Sequence, residues 1–387
     1  MGSNTRSEDT IVFFAVNREY TNFELLIHAI ESYISQKQAE NPNDRFNFVA
    51  FEQCGPLYYA DFIYDYTLLI NTLKEIATTL STPDLAGGIF LALTQIIEVF
   101  KSVGGKTFRV IVLMDQGTLL KKSTILLQSI MDQVIDFPVF IDFVRINTEA
   151  IPQEDLELVK FANSNNGTVY FAKHREDTQR ILEELLKKKE ILSTTDKIFI
   201  SPEKEPFFNN LGDNLWIAEE AGDEIEHNVC QICRDQGSDL VKCPNCHSTA
   251  HAECLAKWAS FTHIGLPNIF RCFSCFRLLQ LPREFVESVQ KGTYKKEDFI
   301  QEVDQDTYLR EREGERAPAL VQCANPFSGM PDIPAEENII TTNNSSSGDD
   351  DFWNDAGDIE EIIRFCACGA LNLPEAKFCN NCGRSLK

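Results

Sequence analysis

Seven cysteines and one histidine between Cys230 and Cys275 constrain this chain more than any other feature of its sequence. They run Cys230-x2-Cys233-x9-Cys243-x2-Cys246-x4-His251-x2-Cys254-x17-Cys272-x2-Cys275, four ligand pairs in succession. A two-residue gap lets a tight knuckle aim both ligand atoms at one cation, and a tetrahedral zinc ion takes two such pairs. Four pairs therefore imply two structural Zn(2+) ions. Reduced cysteines that only pack as small hydrophobes would not repeat in pairs.

The tail repeats the theme with Cys366-x1-Cys368-Gly369 and Cys379-x2-Cys382-Gly383, which implies a third zinc ion. Gly369 and Gly383 supply the positive φ needed where the chain turns back on the metal. A unit this small has little other core, so metal supplies most of its folding free energy. Thirteen cysteines in all leave only Cys54 and Cys323 outside these pairs. Thiolates that hold zinc must stay reduced, which points to an intracellular setting, cytoplasmic or nuclear.

With 387 residues, 43% of them hydrophobic, the chain has room for two or three domains and a sizeable core. A net charge of −23 opposes nonspecific adhesion to nucleic acid or an anionic membrane. No run reaches 18 unbroken apolar residues, so no transmembrane helix is expected. The first ten residues, MGSNTRSEDT, lack the apolar core of a signal peptide, and Arg6 stands where a myristoylation signal has Ser or Thr.

Residues 8–190 alternate strand-like and helix-like segments. Ile11–Val16, Phe46–Phe51, Phe108–Met114, Val139–Val144 and Thr168–Phe171 read as strands. Helical periodicity covers about 23–38, 66–80, 85–99, a stretch through Ile130, 153–163, and a last stretch to about Lys189. The alternation predicts an α/β fold: a doubly wound, mostly parallel sheet with helices on both faces, followed by small zinc-stabilised modules. Ligands or partners of such a sheet sit at the carboxyl ends of its strands. Residues 191–226 read as a linker, 227–282 as the zinc module, 283–361 as an acidic and disordered linker, and 362–387 as a zinc ribbon. Arg364, Lys377, Arg384 and Lys387 make the tail locally basic, which leaves room for a nucleic-acid or protein contact there.

The strand order and lengths of the first domain resemble a von Willebrand factor A domain. In that family an Asp-x-Ser-x-Ser motif after the first strand, a Thr, and an Asp after a later strand hold a divalent metal. The matching stretch here is Asn17-Arg18-Glu19-Tyr20-Thr21, with Thr82 in the Thr position and Asp115 as the later acid. The resemblance implies a degenerate divalent site of Asn17, Glu19, Thr21 and Asp115, or else a metal-free protein-binding platform. Degenerate domains of this kind occur in the transcription-repair factor TFIIH and at the proteasome lid–base junction.

The zinc module resembles RING and PHD fingers, which share an interleaved cross-brace. That topology implies Cys230, Cys233, His251 and Cys254 on one ion, and Cys243, Cys246, Cys272 and Cys275 on the other. A cysteine in fourth place and a histidine in fifth is the PHD order and that of some variant RINGs. Ile232 in the first knuckle and Trp258 on the helix after His251 match the RING surface that receives a ubiquitin-conjugating enzyme. Arg277 lies near the family's priming cation, displaced one place by Phe276. Phe270 matches an aromatic of PHD fingers. Three functions follow from these resemblances: a RING-type ubiquitin-ligase-like protein that works by positioning, a non-catalytic subunit of a transcription or repair assembly, and a PHD-type peptide reader. No Ser-His-Asp set, phosphate loop or carboxylate pair is present for hydrolase or kinase chemistry, so no catalytic residue is assigned.

Overall fold

The computed structural model describes residues 6–118, 131–132, 134, 136–147, 155–164, 166–189, 197–217, 229–237, 240–293, 320–321, 364–366, 368, 370–373, 376–379, 381 and 383–386. Strand β1 (Glu8–Ala15) is buried along its whole length and divides two cores. Ile11, Phe13 and Ala15 face one, while Val12 and Phe14 face the other. A strand with two covered faces has to read as an unbroken apolar run, which is why it was visible in the sequence.

Around β1 lie α1 (Phe23–Glu40), β2 (Arg45–Glu52), β3 (Gly55–Tyr59), α2 (Tyr66–Ile76), α3 (Leu85–Ser102), β4 (Thr107–Met114), β5 (Val139–Ile146), α4 (Asp155–Ser164), β6 (Val169–Ala172) and α5 (Arg175–Leu185). Side chains start two of these helices: Asn22 accepts from the Leu25 N–H, and Asp65 from those of Thr67 and Leu68. The strand order is β3-β2-β1-β4-β5-β6, parallel from β2 through β6. The α/β, mostly parallel sheet expected from the sequence is thus present. Strand β3 was not anticipated; it returns antiparallel beside β2 after a turn in which Gly55 has φ +134°. The helical stretch expected to run through Ile130 lies largely outside the described residues. Helix α3 is long and apolar enough, by length and composition, to cross a membrane, although the sequence reading expected no such segment. Its apolarity has a local cause: Ile89, Ala92, Leu93 and Ile96 are fully buried against the sheet.

The expected linker is partly built into folded structure. Helix α6 (Glu205–Asn209) sends Phe208 into the core under α3, where Phe137 stacks 4.4 Å from Phe100. Strands β7 (Asp213–Asn214) and β8 (Trp216–Ile217) join two small sheets of the zinc module. One is β10-β9-β8, from β9 (Leu240–Lys242) and β10 (Thr249–His251). After α7 (Ala252–Thr262), the other is β11-β12-β7, from β11 (Ile269–Arg271) and β12 (Leu278–Gln280). Helix α8 (Arg283–Gln290) falls inside the stretch read as an acidic tether, yet Phe285, Val286 and Val289 pack into the module's core. Two-residue strands and one short helix are too brief to show a period.

Arg271 bolts the module to the α/β domain. Its guanidinium is buried and donates to the Phe100 carbonyl at 2.9 Å, at the end of α3, and to the Phe276 carbonyl at 3.0 Å. It also lies 5.2 Å from the centre of the Phe100 ring. A cation at a helix C-terminus meets both orphan carbonyls and the negative end of the dipole. Ile264, Leu266, Ile269 and Leu278 of the module share one apolar cluster with Phe100 and Val139 of the domain.

Both outer strands of the sheet are covered from the C-terminal part of the chain. Strand β13 (Leu320–Val321) pairs with β3, and the hairpin β14 (Arg364–Phe365) and β15 (Ala370–Asn372) pairs with β6. Cys54 beside β3 is disulfide-bonded, whereas the ten other described cysteines are free.

Candidate metal centres

Three knuckles of the module and one of the tail repeat the same backbone geometry. The first-ligand N–H donates to the carbonyl five residues on: Cys230 to Asp235 at 2.9 Å, Cys243 to Ser248 at 3.0 Å, Cys272 to Arg277 at 2.8 Å, Cys379 to Arg384 at 2.8 Å. The amide four residues on donates back, from Arg234, His247, Phe276 and Gly383 respectively. Those four residues take φ of +69°, +59°, +62° and +68°. Only one is glycine, so the other three hold left-handed backbone against their own side chains. The remaining pair is carried differently: His251 precedes α7 and Cys254 sits in its first turn, at the positive end of the helix dipole.

The ligand atoms converge in the interleaved pairing that the family resemblance implied. Cys230, Cys233, His251 and Cys254 form one group, and Cys243, Cys246, Cys272 and Cys275 the second, each within 4.8 Å. Zn–S bonds of about 2.3 Å at tetrahedral angles set sulfur–sulfur edges of roughly 3.8 Å. The Cys243–Cys275 and Cys246–Cys272 Sγ separations are 3.8 and 3.7 Å. Nδ1 of His251 lies 3.4 Å from Cys233 Sγ and 3.8 Å from Cys254 Sγ. The donor set and its spacing therefore fit zinc.

Amides and a hydroxyl support the thiolates. The N–H groups of Cys233 and His251 donate to Cys230 Sγ at 3.5 and 3.4 Å, and that of Ser274 to Cys272 Sγ at 3.4 Å. Ser248 Oγ lies 3.1 Å from Cys246 Sγ and 3.6 Å from Cys272 Sγ. Burial opposes the Cys230 thiolate, but the amides of Cys233, His251 and Ile232 outweigh it and bring its pKa down to about 6. Within the second group, hydrogen bonding with Cys243 holds Cys272 down at about 4, while the same contact and burial push Cys243 up. Crowded thiols divided in this way become four thiolates only when a cation neutralises them.

In the tail, Cys366, Cys368 and Cys379 form a third buried group, with Cys368 and Cys379 Sγ 3.7 Å apart. Cys382, expected as the fourth ligand, lies outside the described residues. Asn372 and Asn381 donate to Cys379 and Cys368 Sγ at 3.7 and 3.6 Å. These amides, Ser248 and Arg271 carried no motif in the sequence; their only signal was a polar residue next to a ligand in an apolar surrounding.

Of the three expected docking residues, Ile232 stands in the first knuckle with 36% of its surface exposed. Trp258, expected at the surface, instead donates Nε1–H to the Arg271 carbonyl at 2.8 Å and meets Phe273 edge-on. Arg277 is ion-paired with Asp213 from the linker. Phe261 and Phe276 are the more exposed aromatics of the module. Beside the tail, a cleft of about 710 Å³ is lined by Lys187, Lys188, Lys189 and Arg384. The three lysines already pair with Glu184, Asp44 and Asp142.

At the carboxyl ends of the strands, the degenerate divalent site is satisfied from within. Asp115 is fully buried. It accepts from the Asn17 N–H at 2.6 Å, the Thr21 hydroxyl at 2.8 Å and the Gly117 N–H at 3.0 Å. Asn17 Oδ1 is turned back to the Glu19 N–H, and Glu19 itself is exposed. The buried guanidinium of Arg145 donates to the Asp115 and Thr118 carbonyls at 2.5 and 2.6 Å. Among the described residues these groups form no metal-type cluster. Hard cations require several inward oxygens, and here those of Asp115 and Asn17 have donors already while Glu19 is exposed. Millimolar Mg2+ is expected to leave the melting temperature of the chain unchanged; a saturable rise would restore a cation site here.

No protein-family model and no curated protein matches the chain. Solved structures of von Willebrand A domains do. The SpRpn10 VWA domain aligns at 13% identity and TM-score 0.37, over 48% of this chain and 100% of that one. A von Willebrand factor type A protein from Catenulispora acidiphila aligns at 14% and 0.36, over 47% of this chain and 42% of that one. The TFIIH p34 N-terminal domain aligns at 12% and 0.34, over 47% and 96%. At these scores the likeness adds nothing to the topology, which defines the α/β fold on its own.

Proposed function

We propose that the chain is a non-catalytic, zinc-built interaction subunit of a multiprotein assembly. The observation that carries this reading is the Arg271 joint, which makes the zinc module and the α/β domain one packed body. A flexible tether gives a ligase module reach between substrate and conjugating enzyme. This one is packed against α3, and Trp258 and Arg277 are engaged inside it. A shape that is already fixed suits a partner surface, since binding then costs little ordering.

The second reading, a RING-type ubiquitin ligase, is favoured by the interleaved ligand groups and the exposed Ile232. One experiment separates them. The tagged full-length chain, expressed in its own cells, is expected to elute in native chromatography far above 43.9 kDa with partners in fixed stoichiometry. It is also expected to be silent in autoubiquitination with a panel of conjugating enzymes. Elution at the mass of one chain overturns the subunit reading. Ubiquitin chains that vanish in Ile232→Ala move the assignment to the ligase.

A further inference from the structure

Strand β6 ends the parallel part of the sheet, and without the tail its outer side would be bare. Three of its four residues, Val169, Tyr170 and Ala172, are fully buried. Such an apolar edge is a template for any extended chain. Here β15 covers it, with Ala370 opposite Tyr170 and Leu371 opposite Val169. The two side chains enter opposite cores. Ala370 joins the cluster of Tyr170, Ala172 and Ile181, and Leu371 joins that of Phe143 and Val169. Both are fully buried.

The backbone pairing itself is slight. Strand β15 has three residues, two of them in register with β6, and its hairpin partner β14 has two. A unit of this size does not stand in water on strand pairing alone. The ligand group grips β15 at both ends. Cys366 and Cys368 lie just before it, and the Cys366 N–H donates to the Ala370 carbonyl at 3.0 Å. At its far end the fully buried Asn372 donates to Ala370 O at 3.1 Å and to Cys379 Sγ at 3.7 Å. Metal bound by these sulfurs would fix the strand that seals the sheet, so free energy of metal binding becomes protection of β6.

We infer that the tail metal site is a releasable clasp on the sheet: when zinc leaves, β15 leaves β6 and the apolar edge of the sheet is bared. This goes beyond the subunit reading and stands or falls separately from it.

The test uses the whole chain carrying Cys379→Ser beside wild type. Bound zinc is expected to drop from three ions per chain to two. Deuterium exchange over Val169–Ala172 should rise about tenfold or more, while 240–290 stays protected. If the variant fails to fold, stepwise chelation of wild type, followed by zinc release and exchange in parallel, gives the same readout. Unchanged exchange at β6 after the third zinc is lost overturns the clasp.

Discussion

Cys272→Ser is expected to unfold the whole 230–290 module and to release two zinc ions rather than one. Cys272 is fully buried, and its sulfur faces Cys246 Sγ and the Ser248 hydroxyl. A serine hydroxyl does not become an anion at neutral pH, so the second group loses a ligand and its hold on the cation. The pairs interleave: Cys243 and Cys246 lie between the two halves of the first group, and His251 and Cys254 between the two halves of the second. Neither group can open without freeing a segment that the other needs. Structural zinc supplies about 10–16 kcal/mol of apparent folding free energy in small modules. The apolar cluster around Leu215, Phe270 and Leu279 is too small to replace that. Elemental analysis should give three zinc ions per wild-type chain and one for the variant, with exposed apolar surface detected by dye binding. A wild-type chain that is zinc-free yet melts unchanged would refute the metal assignment.

The parts of the molecule that could be read from the sequence are those where physics acts locally along the chain. Ligands to one ion must come from a knuckle, so Cys230-x2-Cys233 and its counterparts carry their geometry in their spacing. Parallel strands covered on both faces are mostly apolar, so β1, β2, β4 and β5 stood out. What stayed hidden depends on contacts remote in sequence. The carbonyl of Phe100 that receives Arg271 belongs to a helix in another domain. Trp258 looked like a docking residue because its helix position is right, but its indole N–H found the Arg271 carbonyl. Asn17 stands where a metal-holding side chain was expected, whereas its backbone N–H makes the contact to Asp115. Elements of two residues, such as β7 and β8, carry no period at all.

Glu8→Gln is expected to destabilise the α/β domain by about 3–5 kcal/mol at neutral pH, the range for breaking a buried ion pair. Glu8 lies at the start of β1 with no exposed surface. Its Oε1 lies 2.5 Å from Lys37 Nζ and 3.0 Å from Arg109 Nε. Arg109 also reaches Asp142 at 3.0 Å, and Lys189 reaches Asp142 at 2.8 Å, so four fully or nearly buried charges and one half-buried lysine form a single chain. Burial alone would raise the pKa of Glu8, but Arg109 and Lys37 together outweigh it and bring the group down to about 2 from 4.5. The folded pKa is the lower one, so the stabilisation is fully present above about 4.5 and is lost as the pH falls toward 2. A shift of this size corresponds to about 3 kcal/mol, in line with the mutational figure. At roughly 2–4 °C per kcal/mol for a domain of this length, the melting temperature at pH 7 should fall by about 6–20 °C. Below pH 4.5 the gap between wild type and Glu8→Gln should narrow, because acid removes the same charge. Replacing both partners, Glu8→Leu with Lys37→Met, should cost less than the two single losses combined, since neither then leaves a bare charge behind. Parallel thermal melts of the five proteins (wild type, Glu8→Gln, Glu8→Leu, Lys37→Met and the double) from pH 7 to pH 2.5 decide the matter; a wild type to Glu8→Gln gap that stays constant with pH would remove the ion chain from the account of this domain's stability.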